Sequence, residues 1–241
     1  MESPIPQTPE SGPVEALRCK DISKVFTKTR SVIRVLHNVD LTVRQGEFLI
    51  MTGQSGSGKT SLLNVIAGLE PPTTGTITIG GQNIYTLSDD ERATFRATRF
   101  GIIYQQSNWV RALNVIQNVA MPLLSLGMPM ARAEKKAFET LARFGLEGFA
   151  RQDPLELSGG EQQRVGIARA IVHNPWLIIA DEPTGSLDTH SADNVMGLLS
   201  SLNARERRTI IMVTHNQMYE LYGTHQVEIR DGTVVKDTYA N

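Results

Sequence analysis

Residues 53 to 60 read Gly53-Gln54-Ser55-Gly56-Ser57-Gly58-Lys59-Thr60. They follow a compact apolar run at residues 47–52 and lead into residues 59–69, whose apolar side chains have helical spacing. Between a strand and a helix, such glycines let backbone N–H groups curl round the β- and γ-phosphates of a nucleotide, and the helix start adds its positive dipole end. Lys59 adds a point charge and the Thr60 hydroxyl a Mg²⁺ ligand. The pattern therefore predicts a phosphate-binding P-loop.

Strands and helices alternate after this loop. Residues 177–180 and 209–214 are apolar runs typical of buried strands, and residues 161–173 and 191–203 have helical spacing. Such alternation predicts a parallel sheet covered on both faces. Before the loop, residues 17–26 and 32–43 are β-branched-rich and predict an N-terminal antiparallel β subdomain. Further predicted elements are a strand pair at 75–85, helices at 88–99 and 132–144, and a hairpin at 226–235.

The predicted fold class is therefore α/β, a P-loop NTPase core with a parallel sheet. Residues from about 88 to 160 have a mostly helical pattern and predict a helical subdomain inserted between the two halves of the core. The length of 241 residues, with 40% hydrophobic and 20% charged residues, suits one large domain spanning 14–241 with this insertion.

The net charge bears on the kind of partner, and the cysteine content bears on the cellular compartment. The formal net charge of −1 gives no electrostatic reason to expect a nucleic acid as the main partner. The single cysteine, Cys19, forms no internal disulfide, which suits a reducing compartment.

Neither the first residues of the chain nor its most apolar segment has the pattern of a segment that enters a membrane. Residues 1–13 are rich in Pro, Ser, Thr and Glu and predict a flexible tail rather than a secretory signal. Residues 115–130 are interrupted by polar residues, Pro and Gly, and are too short to cross a bilayer. Any work at a membrane would therefore need a membrane part on another chain.

Two acids end a predicted strand, because residues 177–182 read L-I-I-A-D-E. Ligands of open parallel sheets bind beyond the carboxyl ends of the strands, so Asp181 and Glu182 should face the P-loop. Consecutive side chains of a strand point in different directions, which permits two roles. We expect Asp181 to hold Mg²⁺, through water, and Glu182 to polarise the attacking water. The alternative is an ordinary acidic strand end.

A second glycine-rich helix start occurs at residues 157–164, which read L-S-G-G-E-Q-Q-R. Ser158, Gly159 and Gly160 would form another anion cradle. One nucleotide does not need two such cradles, so this segment is interpreted as closing on the γ-phosphate held by a second subunit. The alternative is a simple helix N-cap.

This segment resembles the signature of the ABC ATPases, and the similarity extends over nearly the whole chain from about residue 14. The resemblance implies the ABC ATPase fold, and it implies that Gln105 reaches Mg²⁺ and the attacking water, with Gln106 as an alternative. It further implies that His215 contacts the γ-phosphate and that Phe26, in place of the commoner Tyr, stacks under adenine. Asp188 would lie in the loop that crosses the dimer interface.

The resemblance thus implies ATP and Mg²⁺ as cofactors and a complete set of site residues. Catalysis would involve Glu182, His215 and Gln105, and the metal would be held by Thr60, Gln105 and Asp181. The nucleotide would be bound by Phe26, Gly53, Gln54, Ser55, Gly56, Ser57, Gly58, Lys59, Thr60, Ser61, Ser158, Gly159, Gly160, Glu161 and Asp188.

Within the family, residues 180–188 (A-D-E-P-T-G-S-L-D) and 118–123 (N-V-A-M-P-L) are similar to the MacB, LolD and FtsE group. Gln117, where that group usually has Glu, and the run N-W-V-R at residues 108–111 depart from its pattern. The resemblance implies an ATPase that pairs with a second copy of itself at the cytoplasmic face of the inner or plasma membrane. It would power a separate permease for export, lipoprotein release or mechanical work across the envelope.

Three other functions remain open from the residues. They are an importer subunit for a small solute, a soluble ABC protein that acts on DNA or ribosomes, and a non-catalytic nucleotide-binding module. The single P-loop, the lack of sustained heptads and the balanced charge disfavour the second, and the presence of Lys59, Asp181, Glu182 and His215 disfavours the third.

Overall fold

The structure is a computed structural model that describes residues 14–28, 31–106 and 108–240. The tail predicted at residues 1–13 lies outside the described residues. In chain order, the strands are β1 (Glu15–Lys28), β2 (Ser31–Arg44), β3 (Phe48–Thr52), β4 (Thr74–Ile79), β5 (Gln82–Asn83), β6 (Phe100–Ile103), β7 (Leu177–Asp181), β8 (Thr209–Val213), β9 (His225–Arg230) and β10 (Thr233–Tyr239).

The helices α1 to α6 run over Lys59–Ile66, Asp89–Arg99, Val115–Ser125, Met130–Arg143, Gly159–Ile171 and Thr189–Glu206. Short 3₁₀ helices lie at Ile84–Thr86, Glu147–Phe149, Pro154–Glu156 and Gln217–Tyr222. Within the described ranges, no helix is both long enough and apolar enough to cross a membrane.

The core sheet has the strand order β10-β9-β3-β8-β7-β6 among the described residues. Strand β3 pairs in parallel with β8 and β9, and β7 pairs in parallel with β8 and β6, whereas β10 is antiparallel to β9. The predicted parallel sheet is confirmed, and the carboxyl ends of β3, β6, β7 and β8 meet at one edge.

Strand β6 was not predicted, because residues 88–160 were read as mostly helical. It is four residues long and includes Gly101, so its apolar run is too short to be recognised as a strand from the sequence. It also starts directly after α2, so no turn residues mark its beginning. Packing gives the reason for the glycine: a methyl group there would meet the Ala170 carbonyl oxygen at 2.4 Å. The core sheet thus takes its last strand from inside the predicted helical block.

The second sheet is antiparallel and has the described order β2-β1-β4-β5. It packs on one face of the core sheet together with α1, and the buried side chains there include Leu36, Met51 and Leu62. Helices α5 and α6 cover the opposite face around Ile50 and Leu199. Alternate residues of β3 point to the two layers, as the period of a strand requires.

A separate apolar cluster joins α3, α4 and one side of α5. Its members include Val119, Ala137, Leu141, Leu146 and Val165. These helices form a layer beside the core sheet after β6, so the helical layer begins later in the chain than residue 88. The N-cap predicted for the helix at 88–99 is observed, with Ser88 and Glu91 forming a capping box at the start of α2.

Candidate functional site

The loop between β3 and α1 leaves the start of α1 free to bind an anion. Gly58 at the N-cap has φ 102° and makes no side-chain cap, and no acidic residue lies in the first turn. The N-terminal N–H groups of a helix have no partner within it and favour negative charge. Side chains cap α2, α3, α5 and α6, whereas α4 also lacks a side-chain cap but does not follow a glycine-rich loop. The first turn of α1 is therefore suited to a phosphate group.

Lys59 lies inside this loop and is only 6% exposed. Its Nζ donates to the carbonyl oxygens of Gly53, at 2.8 Å, and Gln54, at 2.9 Å, which fixes the ammonium against the backbone. Burial lowers the pKa of Lys59, while the charges of Glu182 and Asp181 oppose that shift. The ammonium is thus held where an anion entering the loop would meet it.

A cavity of about 450 Å³ opens in front of this lysine. The predicted residues that line it come from the P-loop, from the segment after β6 and from the ends of β7 and β8. They are Ser55, Gly56, Gly58, Lys59, Thr60, Ser61, Gln105, Glu182 and His215, together with Val35 of β2, which was not predicted.

The three other predicted residues of the loop form its body rather than its lining. The carbonyls of Gly53 and Gln54 accept the Lys59 ammonium, and the carbonyl of Ser57 accepts the Gly232 N–H at 2.9 Å. A methyl group at Gly53 would meet the Ile229 carbonyl oxygen at 2.2 Å. The loop therefore packs directly on the β9–β10 hairpin.

The two acids at the end of β7 point to different partners. The Thr60 hydroxyl donates to Oδ1 of Asp181 at 3.3 Å, which places two oxygen ligands side by side. Glu182 has φ 46°, a left-handed conformation, and its carboxylate lies 2.9 Å from Nδ1 of His215. Burial raises the pKa of Asp181, and the hydrogen bond from Thr60 opposes the rise. The pair offers one carboxylate beside the Thr60 hydroxyl and another beside an imidazole.

This geometry fits a Mg²⁺ ion bound with a nucleotide. Mg²⁺ usually takes one or two protein oxygens and completes its shell with phosphate oxygens and waters. Thr60 and Asp181 present such oxygens next to a helix start that suits phosphates. The cost of burying the Asp181 carboxylate is the kind of cost that a divalent cation offsets.

Gln105 lies two residues after β6 and lines the cavity, whereas Gln106 lines a neighbouring cavity that Gln105 also reaches. Gln105 is packed against Gly185, where a methyl group would meet its Nε2 at 2.8 Å. Of the two glutamines, the structure thus brings Gln105 to the P-loop.

Phe26 is not among the residues that line the P-loop cavity. It is half-buried on β1 opposite Ile33, and the Lys24 ammonium lies 5.0 Å from its ring centroid. Val35, two residues further along β2 than Ile33, does line the cavity. The only sequence signal for Val35 was its place in a predicted strand, because its position at the site depends on how the two sheets pack.

The signature segment lies away from this P-loop. Ser158 caps α5 in a capping box, in which the Ser158 hydroxyl donates to Glu161 at 2.6 Å. Hydrogen bonds from the Ser158 side chain and backbone lower the pKa of Glu161. A methyl group at Gly160 would meet the Ser191 hydroxyl at 2.7 Å, and that hydroxyl donates to Asp188 at 2.7 Å. The starts of α5 and α6 are therefore in contact, and Gly159 lines the neighbouring cavity.

Comparison with known proteins agrees with this arrangement. The model of the family described as "ABC transporter" matches residues 36–185. Proteins named macrolide export ATP-binding/permease protein MacB are 39% identical over 222 residues in Mannheimia succiniciproducens and in Hyphomonas neptunium. Each alignment covers 92% of this chain and 34% of the relative, so the chain spans about a third of the length of these relatives.

Solved structures show the same fold. The dimeric MJ0796, a bacterial ABC transporter cassette, has a TM-score of 0.86 and 36% identity, with 93% of this chain and 99% of that chain covered. The cbiO1 protein from Clostridium perfringens, part of the ABC transporter complex cbiONQ, has a TM-score of 0.83 and 25% identity, with 94% and 89% covered. From its sequence and its fold, the chain belongs to the ABC transporter family and is an ATPase of the ABC type.

Proposed function

We propose that this chain is the motor of a transporter of the MacB, LolD or FtsX-like type, in which ATP hydrolysis by two copies drives a membrane permease. ATP binding and hydrolysis are the activities of its family, and the relatives of the chain include proteins named for macrolide export. The observation that carries the proposal is that Lys59, Thr60 and Glu182 line one cavity, with Asp181 hydrogen-bonded to Thr60.

The residues act on ATP by position and charge. Lys59 and the open start of α1 bind the β- and γ-phosphates. Thr60 and Asp181 would hold Mg²⁺, which would neutralise charge on the phosphate oxygens. Glu182 polarises the attacking water or accepts a proton from it. His215 and Gln105 orient the γ-phosphate and that water. Phosphoryl transfer to water needs positioning and charge stabilisation more than covalent chemistry, and these are what the groups of one chain contribute.

The reaction site is completed by a second copy of the chain. Ser158, Gly159 and Gly160 do not line the P-loop cavity of their own chain, and in the single chain Ser158 and Glu161 close the start of α5 with a capping box. For this glycine-rich helix start to bind an anion, that capping box would have to open. In the proposed dimer each chain lends this segment to the γ-phosphate of the other, and Asp188 communicates across the interface. The similar MJ0796 cassette is dimeric, which supports this assembly.

The neighbouring cavity, of about 400 Å³, is the proposed contact for the permease. Trp109 donates to Gln162 at 2.9 Å, and Asn118 both accepts from and donates to the backbone of Val110, so the wall of this cavity is held in place. Arg111 adds a positive charge to the lining. With such a partner, the chain would be peripheral at the cytoplasmic face of the membrane.

The test is co-purification of the chain with its membrane partner, followed by ATPase measurement in lipid nanodiscs. We expect the wild-type chain to be retained and its ATPase rate to respond to the permease. Arg111→Glu should weaken retention, and Arg132→Glu, at an exposed position of α4, is the matched control. If ATP-loaded Glu182→Gln protein stayed monomeric even with the permease present, the two-copy mechanism would be wrong.

A further inference from the structure

We propose that Lys24 is a positioning residue for nucleotide binding, which fixes Phe26 as the platform for the base and connects it to the far end of the P-loop helix. The inference rests on the stacking under adenine that the sequence resemblance implies for Phe26, and it adds a residue that the motifs of the chain did not indicate. Lys24 acts through Phe26 and does not touch the reacting atoms.

The surroundings of Lys24 explain why a lysine is buried there. The residue is 9% exposed, and an ammonium is costly to bury without partners. Its Nζ donates to the carbonyl oxygen of Pro71 at 2.7 Å, lies 3.6 Å from Oε2 of Glu70, and sits 5.0 Å from the ring centroid of Phe26. The ammonium thus donates to one carbonyl and is further compensated by a nearby carboxylate and a ring face.

The segment after α1 is joined to β1 at further points. The Thr73 N–H donates to the Ser23 carbonyl at 2.8 Å, and the Val25 N–H donates to the Thr73 hydroxyl at 2.9 Å. Glu70 is in turn held to α1, because Asn64 donates to its carboxylate at 3.2 Å. Contacts therefore run without a break from the end of α1, through Glu70 and Lys24, to the aromatic ring.

These contacts connect the ring on which the base would stack with the loop that would bind the phosphates. Helix α1 begins at Lys59 in the P-loop and ends next to the segment that Lys24 holds, so the ring of Phe26 and the phosphate loop keep a fixed relation. Phe26 is half-buried with a cation near its ring, which limits how the ring can tilt. A base that stacks on this ring would lose affinity if the ring moved, whereas the phosphates would not.

The experiment separates the base from the phosphates by comparing Mg·ATP with Mg·tripolyphosphate, which has no base. Calorimetry on the Lys24→Met variant should show a dissociation constant for ATP raised about three- to tenfold, the range expected for losing a partly buried cation–π contact. Tripolyphosphate affinity should change less than twofold. Lys20→Met, an exposed lysine on the same strand, is the matched control and should change neither.

Two further variants keep the result interpretable. Lys24→Gln retains a donor for the Pro71 carbonyl but no charge, so it should show the same ATP-selective loss if Lys24→Met is insoluble. Lys24→Arg keeps the charge and can lie on the ring, so it should recover part of the affinity. In a Phe26→Ala background, Lys24→Met should have no further effect on ATP, because the contact that it removes is already lost.

Several outcomes would overturn the proposal. Equal losses for ATP and tripolyphosphate would show that Lys24 supports the P-loop or the fold instead of the base platform, and unchanged ATP affinity would show that it positions nothing. If Phe26→Ala alone bound ATP normally, the stacking role of Phe26 would itself be wrong. A loss in Phe26→Ala without a loss in Lys24→Met would leave the role of Phe26 intact and refute only that of Lys24.

Discussion

Nδ1 of His215 lies 2.9 Å from Oε2 of Glu182. The two side chains differ in exposure: the His215 side chain is 63% exposed and that of Glu182 is 16% exposed. Glu182 adopts its left-handed conformation with its N–H bonded to the Val213 carbonyl at 3.0 Å, so the backbone and the imidazole together set the direction of the carboxylate. The histidine therefore acts on the same group that we propose to polarise the attacking water.

From this contact we predict that His215→Ala lowers kcat by about 10²-fold, the lower end of what a positioned acid–base group contributes. His215→Gln should recover part of the rate, because an amide can still donate to Glu182. Phosphate release at saturating ATP measures both. In the double variant His215→Ala/Glu182→Gln the losses should not add, since the two groups act as a unit; additive losses would separate their roles.

Glu182→Gln should bind ATP and dimerise but lose turnover by about 10²- to 10⁴-fold, because the amide can accept a hydrogen bond from water without taking its proton. ATP binding by calorimetry, dimerisation by light scattering and phosphate release together test the three statements. Glu156→Gln, an exposed acid at the end of a 3₁₀ helix, is the control and should match the wild type. Brisk hydrolysis by the Glu182→Gln variant would show that another group activates the water.

Lys59→Ala should abolish nucleotide binding. The substitution removes the only side chain that we expect to bring positive charge to the phosphates in the loop, and it frees two carbonyl oxygens that Lys59 now satisfies. Those carbonyls would then face the phosphates as acceptors. Equilibrium binding of a fluorescent ATP analogue measures the effect, with Lys20→Ala as the control. Normal affinity in Lys59→Ala would refute the phosphate role.

The P-loop and the acidic end of β7 could be predicted from sequence because each depends on neighbours in the chain. A strand, glycines, Lys59 and a helix start are contiguous, and Asp181 follows a run of buried side chains. Parallel pairing then places strand ends together without further information. For these elements, the local sequence pattern predicts the positions that the tertiary structure shows.

Other features depend on packing between distant segments and left little trace in the sequence. The carbonyl of Val35 lies close to both Gly58 and Gly232, so its place at the cavity requires β2, the P-loop and the β9–β10 turn together. Strand β6 is recognisable only once Gly101 is seen against the backbone of α5. The contact of Lys24 with Phe26 likewise depends on residues 70–73, which are about 47 positions away.

Asp181→Asn should stabilise the nucleotide-free protein while it abolishes Mg²⁺-dependent hydrolysis. Burial raises the pKa of Asp181, so the folded protein binds this proton more tightly than the unfolded chain does. The ionised carboxylate therefore costs stability at neutral pH, and the cost disappears as pH falls through the raised pKa towards the ordinary value. Thermal unfolding should show a higher Tm for the variant at pH 7 and a smaller gain in acid. A lower Tm at pH 7 would contradict the assignment.

Gly160→Ala should weaken ATP-driven dimerisation while leaving ATP binding by a single chain within about twofold of the parent. The added methyl would lie 2.7 Å from the Ser191 hydroxyl, so the starts of α5 and α6 must separate. Overpacking of this kind costs about 1–3 kcal/mol, or roughly 5- to 150-fold in the dimer dissociation constant if the cost falls on the closed form. Analytical ultracentrifugation in the Glu182→Gln background measures this constant.

Gly197→Ala is the matched control, since a methyl there meets nothing within 4 Å. That control sits inside α6, so it should raise stability by about 0.5–1 kcal/mol and leave dimerisation unchanged. Equal dimerisation by the two variants would mean that the signature helix start does not meet the partner copy.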